Sequence, residues 1–477
     1  MENQEKKETV ALLGVEKNPT EKPLGFALPA HGGYINIPNP FRSILVIGGA
    51  GAGKTASVVE PIIFQAMRKK FTGFVYDFNY PTLGNVVYSS LLYHENTTPN
   101  EEKIKFFPVS FTDLGRSCRF NPLDPGLLSS STQAEEYSWA LYCNLDKEAI
   151  KKGGFFPESA AGLLKSVIWF MKKNHPDHCT LPHVINIILN ADTKTLVNMI
   201  VSDVETKGMV KSVKEAAEKE AYDQLAGVVG SLTMQLQKIN TPEICWVLTG
   251  NDFTLDLNNP SDPKFIVLGS LPEFKSTLNP VIAFISAIAL KLMNAQDKLQ
   301  SIALIDEGPT LFIPNLDSLP ATGRSNKLSV VYVAQSFSQM DVMYGKESRR
   351  ALVGNLAYQF YGNTSDLETA KQASDVTGVE VQEMLTLKQG TFVGKLVESE
   401  NDLFKAPLKR IIDSNKDFKI TEIPIIDKKF TLTDEEEKKY SKTLETYLSS
   451  KKEKYLSDNF NKIQEDVKQI LANYSAS

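Results

Sequence analysis

Residues Gly48–Thr55 read GGAGAGKT and fit the pattern G-x-x-x-x-G-K-[ST]. The run before them, Ser43–Ile47 (SILVI), is apolar and β-branched, as a parallel strand buried on both faces must be. The segment after them, Ala56–Lys70, reads as a helix that Pro61 should kink or locally loosen. Strand, glycine loop and helix in that order commit the chain to an α/β sheet. They also set out a phosphate site: a backbone freed by Gly48, Gly49, Ala50, Gly51, Ala52 and Gly53 can curl its N–H groups around phosphate oxygens at a helix N-terminus. Lys54 would sit on the β- and γ-phosphates of ATP, and the Thr55 hydroxyl would bind Mg²⁺. A plain glycine-rich turn would not need the lysine and threonine at this spacing.

A phosphate loop does not by itself imply hydrolysis, so a second metal ligand matters. Ile302–Glu307 (IALIDE) is an apolar strand ending in two carboxylates. Asp306 would hold the Mg²⁺ shell and Glu307 would polarise the attacking water. The adjacent base favours an ATPase over a GTPase, and no NKxD motif reads guanine: Asn326-Lys327 is followed by Leu-Ser, and Asn415-Lys416 by Asp-Phe. Leu328–Ser336 (LSVVYVAQS) is a strand ending in Gln335, where a polar side chain can sense the γ-phosphate or the water. Arg324 is a candidate arginine finger for a neighbouring subunit's ATP, with Arg349 and Arg350 as rivals.

The rest of the chain falls into blocks. Further strands are expected at Gly73–Phe78, Ile104–Phe111, Lys264–Gly269, Ile302–Asp306, Leu328–Ala334, Ala357–Tyr361 and Thr391–Leu396. Between Asp124 and Gly250 the strand signal gives way to helical spacing at Ala134–Asn144, Ser159–Asn174, Leu181–Leu189, Thr193–Asp203 and Lys211–Lys238. The expected organisation is an irregular lead-in over 1–40, a nucleotide-binding domain split between 41–124 and 251–425, an all-α domain over 125–250, and amphipathic helices over 426–477. In that tail Thr433 and Glu436 form a capping box, and two apolar stripes follow, at Tyr440, Leu444, Tyr447 and Leu448, then at Leu456, Phe460, Ile463, Val467, Ile470 and Leu471. Such helices usually pack on their own domain.

Charge narrows the function. With 52 Lys and Arg against 57 Asp and Glu, the net charge of -5 excludes a protein that coats nucleic acid by bulk attraction. Any DNA contact must come from local patches such as Lys151-Lys152, Lys172-Lys173 or Arg349-Arg350. Four separated cysteines without a CxxC pair fit a reducing compartment. The polar start MENQEKKETV lacks a signal-peptide core, and no stretch reaches 18 uncharged apolar residues, so a soluble cytoplasmic chain is expected. Leu278–Met293 reads as a buried core helix. His175, His178, Cys179 and His183 (HPDHCTLPH) have spacing that resembles metal ligation, but Pro176 and Pro182 interrupt the segment and no second cluster completes a zinc module. It reads as a loop between two helices.

Taken with FNPLD at Phe120–Asp124, FPESAAGLLK at Phe156–Lys165, QSFSQ at Gln335–Gln339, Tyr344-Gly345 and Gly354-Asn355, the order of motifs resembles the type IV secretion coupling ATPases, the TraG/TraD group within the FtsK-HerA class of RecA-like motors. The resemblance spans about Pro38 to Leu408. It implies a RecA-like fold whose Lys54, Thr55, Asp306, Glu307 and Gln335 serve ATP hydrolysis, and an all-α insertion that recruits cargo. It further implies a homo-hexameric ring at the inner face of the bacterial cytoplasmic membrane. Such a ring would drive single-stranded DNA or a relaxase–DNA complex toward secretion-channel and membrane-anchoring partners. Family members usually have N-terminal transmembrane helices, and many have Asp-Pro-Lys-Gly-Glu after the second strand, where this chain has Asp77-Phe78-Asn79-Tyr80. The alternatives are another FtsK-HerA-type DNA translocase, or a scaffold that recruits effectors and uses nucleotide only to assemble.

Overall fold

The computed structural model describes residues 12–98, 103–209, 215, 222–439 and 444–475. Nine strands form one sheet in the order β11-β10-β9-β3-β8-β7-β4-β6-β5. They are β3 (Ile44–Ile47), β4 (Thr72–Asp77), β5 (Lys105–Ser110), β6 (Lys264–Gly269), β7 (Ser301–Ile305), β8 (Leu328–Ala334), β9 (Tyr358–Tyr361), β10 (Thr391–Lys395) and β11 (Leu403–Pro407). From β5 through β9 all pairings are parallel, and β10 and β11 close one edge antiparallel. Both faces are covered: Leu45, Ile47, Phe74 and Tyr76 enter one core, and Ile44, Val46 and Val75 enter the other. That is why the central strands are continuous apolar runs with no polar alternate. The fold is the RecA-like α/β class expected from the motifs.

One expectation changes and another is met. The lead-in is not irregular throughout: β1 (Phe26–Ala30) and β2 (Gly33–Ile37) form an antiparallel hairpin turned at His31-Gly32. Its signal is the alternation of buried Phe26, Leu28 and Ala30 with less buried Ala27 and Pro29, which the proline and small residues obscure. Pro61 is accompanied by the local loosening expected of it. Thr55–Val59 forms a wide turn in which Glu60 N–H bonds the Thr55 carbonyl, and an α-helix continues over Glu60–Arg68 with Pro61 in its first turn. The wider turn accommodates a residue that has no N–H and would crowd the carbonyl four residues back.

Helices fill the interval between β5 and β6, at Ser131–Leu145, Lys147–Lys152, Phe155–Asn174, Leu181–Asn190, Thr193–Val201, Val204–Lys207, Tyr222–Leu236 and Pro242–Val247. Of the expected Lys211–Lys238 helix, residues 211–214 and 216–221 lie outside the described residues. The two chain crossings lie together: Phe120 and Phe253 form a parallel bridge, and the rings of Phe107, Phe253 and Phe120 stack at 4.7 and 4.6 Å. FNPLD anchors the crossing, since Asn121 donates to the Cys179 carbonyl at 2.8 Å and accepts from Leu123 N–H. Lys275–Met293 is long and apolar enough to cross a membrane by composition, but it is a mostly buried helix packed on Ser131–Leu145 and the sheet.

In the tail the capping box forms, with Glu436 N–H on Thr433 Oγ1 at 3.3 Å and Thr433 N–H on Glu436 Oε2 at 3.0 Å. Tyr440 lies outside the described residues. The rest of both stripes lies on a single helix, Leu444–Ala472, not on two. Its buried Leu456, Ile463, Val467, Ile470 and Leu471 pack on the all-helical region, against Leu181–Asn190 and Pro242–Val247.

Candidate nucleotide site

Strand register brings the sequence motifs to one place, the carboxyl edge of the sheet where open α/β folds bind ligands. Ile47 pairs with Ala334 of β8, so Gly48 and Gln335 leave the sheet side by side. Tyr76 pairs with Ile305 and passes its carbonyl to Asp306 N–H at 3.2 Å, which sets Asp77 next to Asp306. Glu307 follows in the left-handed region at φ 50°, a conformation that turns its side chain off the strand direction toward the neighbouring strand end. There it hydrogen-bonds the Gln335 side chain.

The loop is held from both sides. Gly51 and Gly53 have φ of 75° and 92°, which lets successive peptide N–H groups face one concavity. Gly49 N–H bonds the Asn363 carbonyl at 2.6 Å, and Gly390 N–H bonds the Ala52 carbonyl at 2.9 Å. Asn363 is fixed in turn by Leu385 and Leu387 carbonyls at 3.2 and 3.0 Å. Neither Asn363 nor Gly390 stands out in the sequence; a signal existed only for Asn363, in the Gly362-Asn363 pair that ends the apolar strand YQFY.

Lys54 Nζ lies over the loop, on the Gly48 and Gly49 carbonyls at 2.5 and 3.2 Å. Burial lowers its pKa, and the charges of Glu307 and Asp306 act the other way. Both carboxylates are shifted upward. Asp306 is pushed to about 7 by burial first, then by Asp77 and Glu307. Glu307 is raised by burial, partly offset by its bond from Gln335 and by Lys54. Asp306 and Glu307 both act on Lys54, and Asp77 lies beside Asp306, so oxygen donors suited to a hard divalent cation gather here. Asp306 and the Thr55 hydroxyl would offer oxygen donors of the kind that Mg²⁺ requires.

Asp77, which in the sequence marks only a departure from a family motif, is fully buried, with Oδ2 accepting from Gly84 N–H at 2.9 Å and Oδ1 without a partner. Burial lifts its pKa to about 6. A carboxyl raised by the fold holds a proton that the unfolded chain has already released. Its stabilising contribution is full below the ordinary value near 4 and is lost as pH rises through about 6. The loss is on the order of 3 kcal/mol, and Asp306 adds to it in an overlapping window. Thermal midpoints without nucleotide or metal should therefore fall from about pH 5 to about pH 8, and Asp77→Asn should flatten the decline. An unchanged slope in that variant would refute the assignment.

The arginines separate. Arg349 is buried, ion-paired to Asp341 at 2.7 Å, bonded to Gln372 and set over the Phe337 ring at 5.0 Å. Removing one partner of such a pair costs about 3–5 kcal/mol, which marks it as structural and removes it as a finger. Arg350 is exposed and pairs with Glu347 one turn away. Arg324 is not brought to this chain's own loop: it precedes β8 at the opposite edge of the sheet from Gln335, half-exposed, with Glu398 at 3.5 Å. Of the basic pairs, Lys173 is neutralised by Asp203 and Glu205 at 3.0 and 3.1 Å, and Lys172 lies over the Trp169 ring. The side chains of Lys151 and Lys152 lie outside what the structure describes.

Comparison with known proteins places this geometry. The family model described as type IV secretory system conjugative DNA transfer matches residues 2–402. No curated protein matches the chain. Among solved structures, the bacterial conjugative coupling protein TrwBdeltaN70 aligns with a TM-score of 0.63 at 14% identity, over 84% of this chain and 90% of that one. TrwB bound to a non-hydrolysable ATP analogue aligns at 0.62 and 15% identity, over 84% and 90%. VirB4 of Thermoanaerobacter pseudethanolicus aligns at 0.51 and 12% identity, over 82% and 98%.

Proposed function

We propose, from the premise that this chain belongs to the type IV secretory system conjugative DNA transfer family and is a coupling protein of conjugation, that it hydrolyses ATP to drive DNA toward the transfer channel. The observation that carries the reading is the convergence of Lys54, Asp306, Glu307 and Gln335 on one sheet edge beside the glycine loop. TrwB, similar in fold, has been solved with ADP and Mg²⁺ and with an ATP analogue.

In this reading the loop N–H groups and Lys54 bind the β- and γ-phosphates, releasing Lys54 from the Gly48 and Gly49 carbonyls. Thr55 and Asp306 would hold Mg²⁺, which would supply neutralisation of charge on the phosphate oxygens. Glu307 orients the attacking water for in-line displacement and accepts its proton. Gln335 fixes the Glu307 carboxylate and carries nucleotide state into β8 and the helix Phe337–Asn355 behind it. Arg324, remote from its own loop and exposed, would serve a neighbour's nucleotide in a homo-hexameric ring. The same reading gives the cargo as single-stranded DNA or a relaxase–DNA complex and the location as the cytoplasmic face of the membrane, against channel and anchoring proteins.

The test is ATP turnover with and without single-stranded DNA, paired with mass measurement in a non-hydrolysable analogue. Stimulation by DNA together with a six-chain mass is expected. A monomer under every condition would overturn the ring. Nucleotide-dependent oligomers without DNA stimulation would replace the motor by a recruitment scaffold.

A further inference from the structure

The HPDHCTLPH segment lacked a completing ligand in the sequence, and the fold supplies one from 283 residues away. Asp466, on the inner side of the C-terminal helix, places Oδ2 3.4 Å from His183 Nε2 and 3.6 Å from His178 Nδ1. The three ligand atoms all lie within 4.8 Å of one another. The His183–Asp466 hydrogen bond at 3.4 Å is longer than the about 2.7–2.9 Å of a charge-assisted N–H···O bond. Both separations to Asp466 lie close to the edge of a tetrahedron around a metal bound at about 2.0–2.1 Å, which is roughly 3.3–3.4 Å, and a small closure of the exposed His178 would complete it.

The ligands are held in place by their own backbone. Pro176 opens the short 3₁₀ turn that presents His178, and Pro182 lies in the first turn of Leu181–Asn190, which presents His183. Thr180 caps that helix, and its Oγ1 lies 2.7 Å from His183 Nδ1, so a proton on Nδ1 directs the Nε2 lone pair at Asp466. An outer partner of this kind is the usual support of a metal-bound imidazole. His183 is buried, Asp466 is half-buried and His178 is the more exposed, leaving one ligand free to close on an ion and a fourth position open to water. Lys462, one turn before Asp466, is the opposing positive charge near His183. Cys179 is not part of the cluster: its thiol points at the Ile168 carbonyl in the core. His175 turns instead to the Tyr474 hydroxyl.

We propose that His178, His183 and Asp466 form a divalent transition-metal site of the zinc class that clasps the C-terminal helix onto the all-helical region. Two imidazoles and one carboxylate favour Zn²⁺ or Co²⁺ over Mg²⁺ and Ca²⁺. The site is separate in residues and chemistry from the Mg²⁺ ligands at Thr55 and Asp306.

The experiment uses the full chain, stripped with chelator and titrated with Zn²⁺ by calorimetry and with Co²⁺ by visible absorption, without nucleotide. One equivalent per chain is expected, with tetrahedral Co²⁺ bands, no thiolate charge-transfer band, and a thermal midpoint that rises with Zn²⁺. His178→Ala, at an exposed position, and the near-isosteric Asp466→Asn should each weaken uptake at least about tenfold, while Cys179→Ser leaves it unchanged. Absence of stoichiometric uptake, uptake indifferent to both ligand variants, or loss in Cys179→Ser would overturn the proposal.

Discussion

Glu307→Gln is expected to bind ATP nearly as well as the parent and to lose turnover by about 10²–10⁴-fold, the range set by removing a positioned base. The glutamine keeps an acceptor for the Gln335 side chain and the left-handed backbone, so the site's shape survives while its proton acceptor does not. Lys54→Ala should behave differently: with the ammonium gone from the loop, phosphate affinity itself falls, and ATP binding weakens together with turnover. Fluorescent-nucleotide binding and steady-state hydrolysis on the same preparations separate the two outcomes. Unchanged hydrolysis in Glu307→Gln would remove that residue as the base and leave the site without one on β7.

Gly308→Ala should damage fold and chemistry together. A Cβ at Gly308 would lie 2.4 Å from the ring of Tyr332, a fully buried side chain in the middle of β8, so neither side can yield without moving a central strand. Overpacking of this kind costs about 1–3 kcal/mol. The displaced backbone is the one that sets Glu307 at φ 50° and passes its carbonyl to Thr310 Oγ1 at 2.7 Å. Denaturation midpoints and turnover should both fall, and Tyr332→Leu in the same chain should recover part of each. If the double variant is no better than Gly308→Ala alone, the ring contact is not the cause.

The sequence displays the parts of the nucleotide site whose chemistry is local. GGAGAGKT, IALIDE and the glutamine after LSVVYVA each carry their meaning within a few residues, because loop, strand and terminal side chain are contiguous. The central strands were legible for the same reason: burial on both faces removes polar alternation and leaves short apolar runs. Where meaning depends on distant partners, the sequence was silent. Asp77 becomes a buried, proton-holding carboxyl only because β4 pairs with β7 across more than two hundred residues. Asn363 and Gly390 brace the loop from strands no local pattern connects to it. The hairpin β1–β2 and the edge strand β11 were missed because Pro29, Lys405 and Pro407 give edge strands a loop-like composition. Arg349 looked like a candidate finger until its partners, Asp341 and Gln372, accounted for its charge.

The placement of the helices between β5 and β6 has a consequence for synthesis. β6 sits between β4 and β5 in the sheet, yet it is made only after the whole intervening helical stretch, and β3 waits longer still for β8 and β9. At about 5–20 residues per second the phosphate loop's strand spends on the order of 15–60 s without either neighbour. An interrupted chain ending anywhere before Tyr361 therefore has no fully framed phosphate loop.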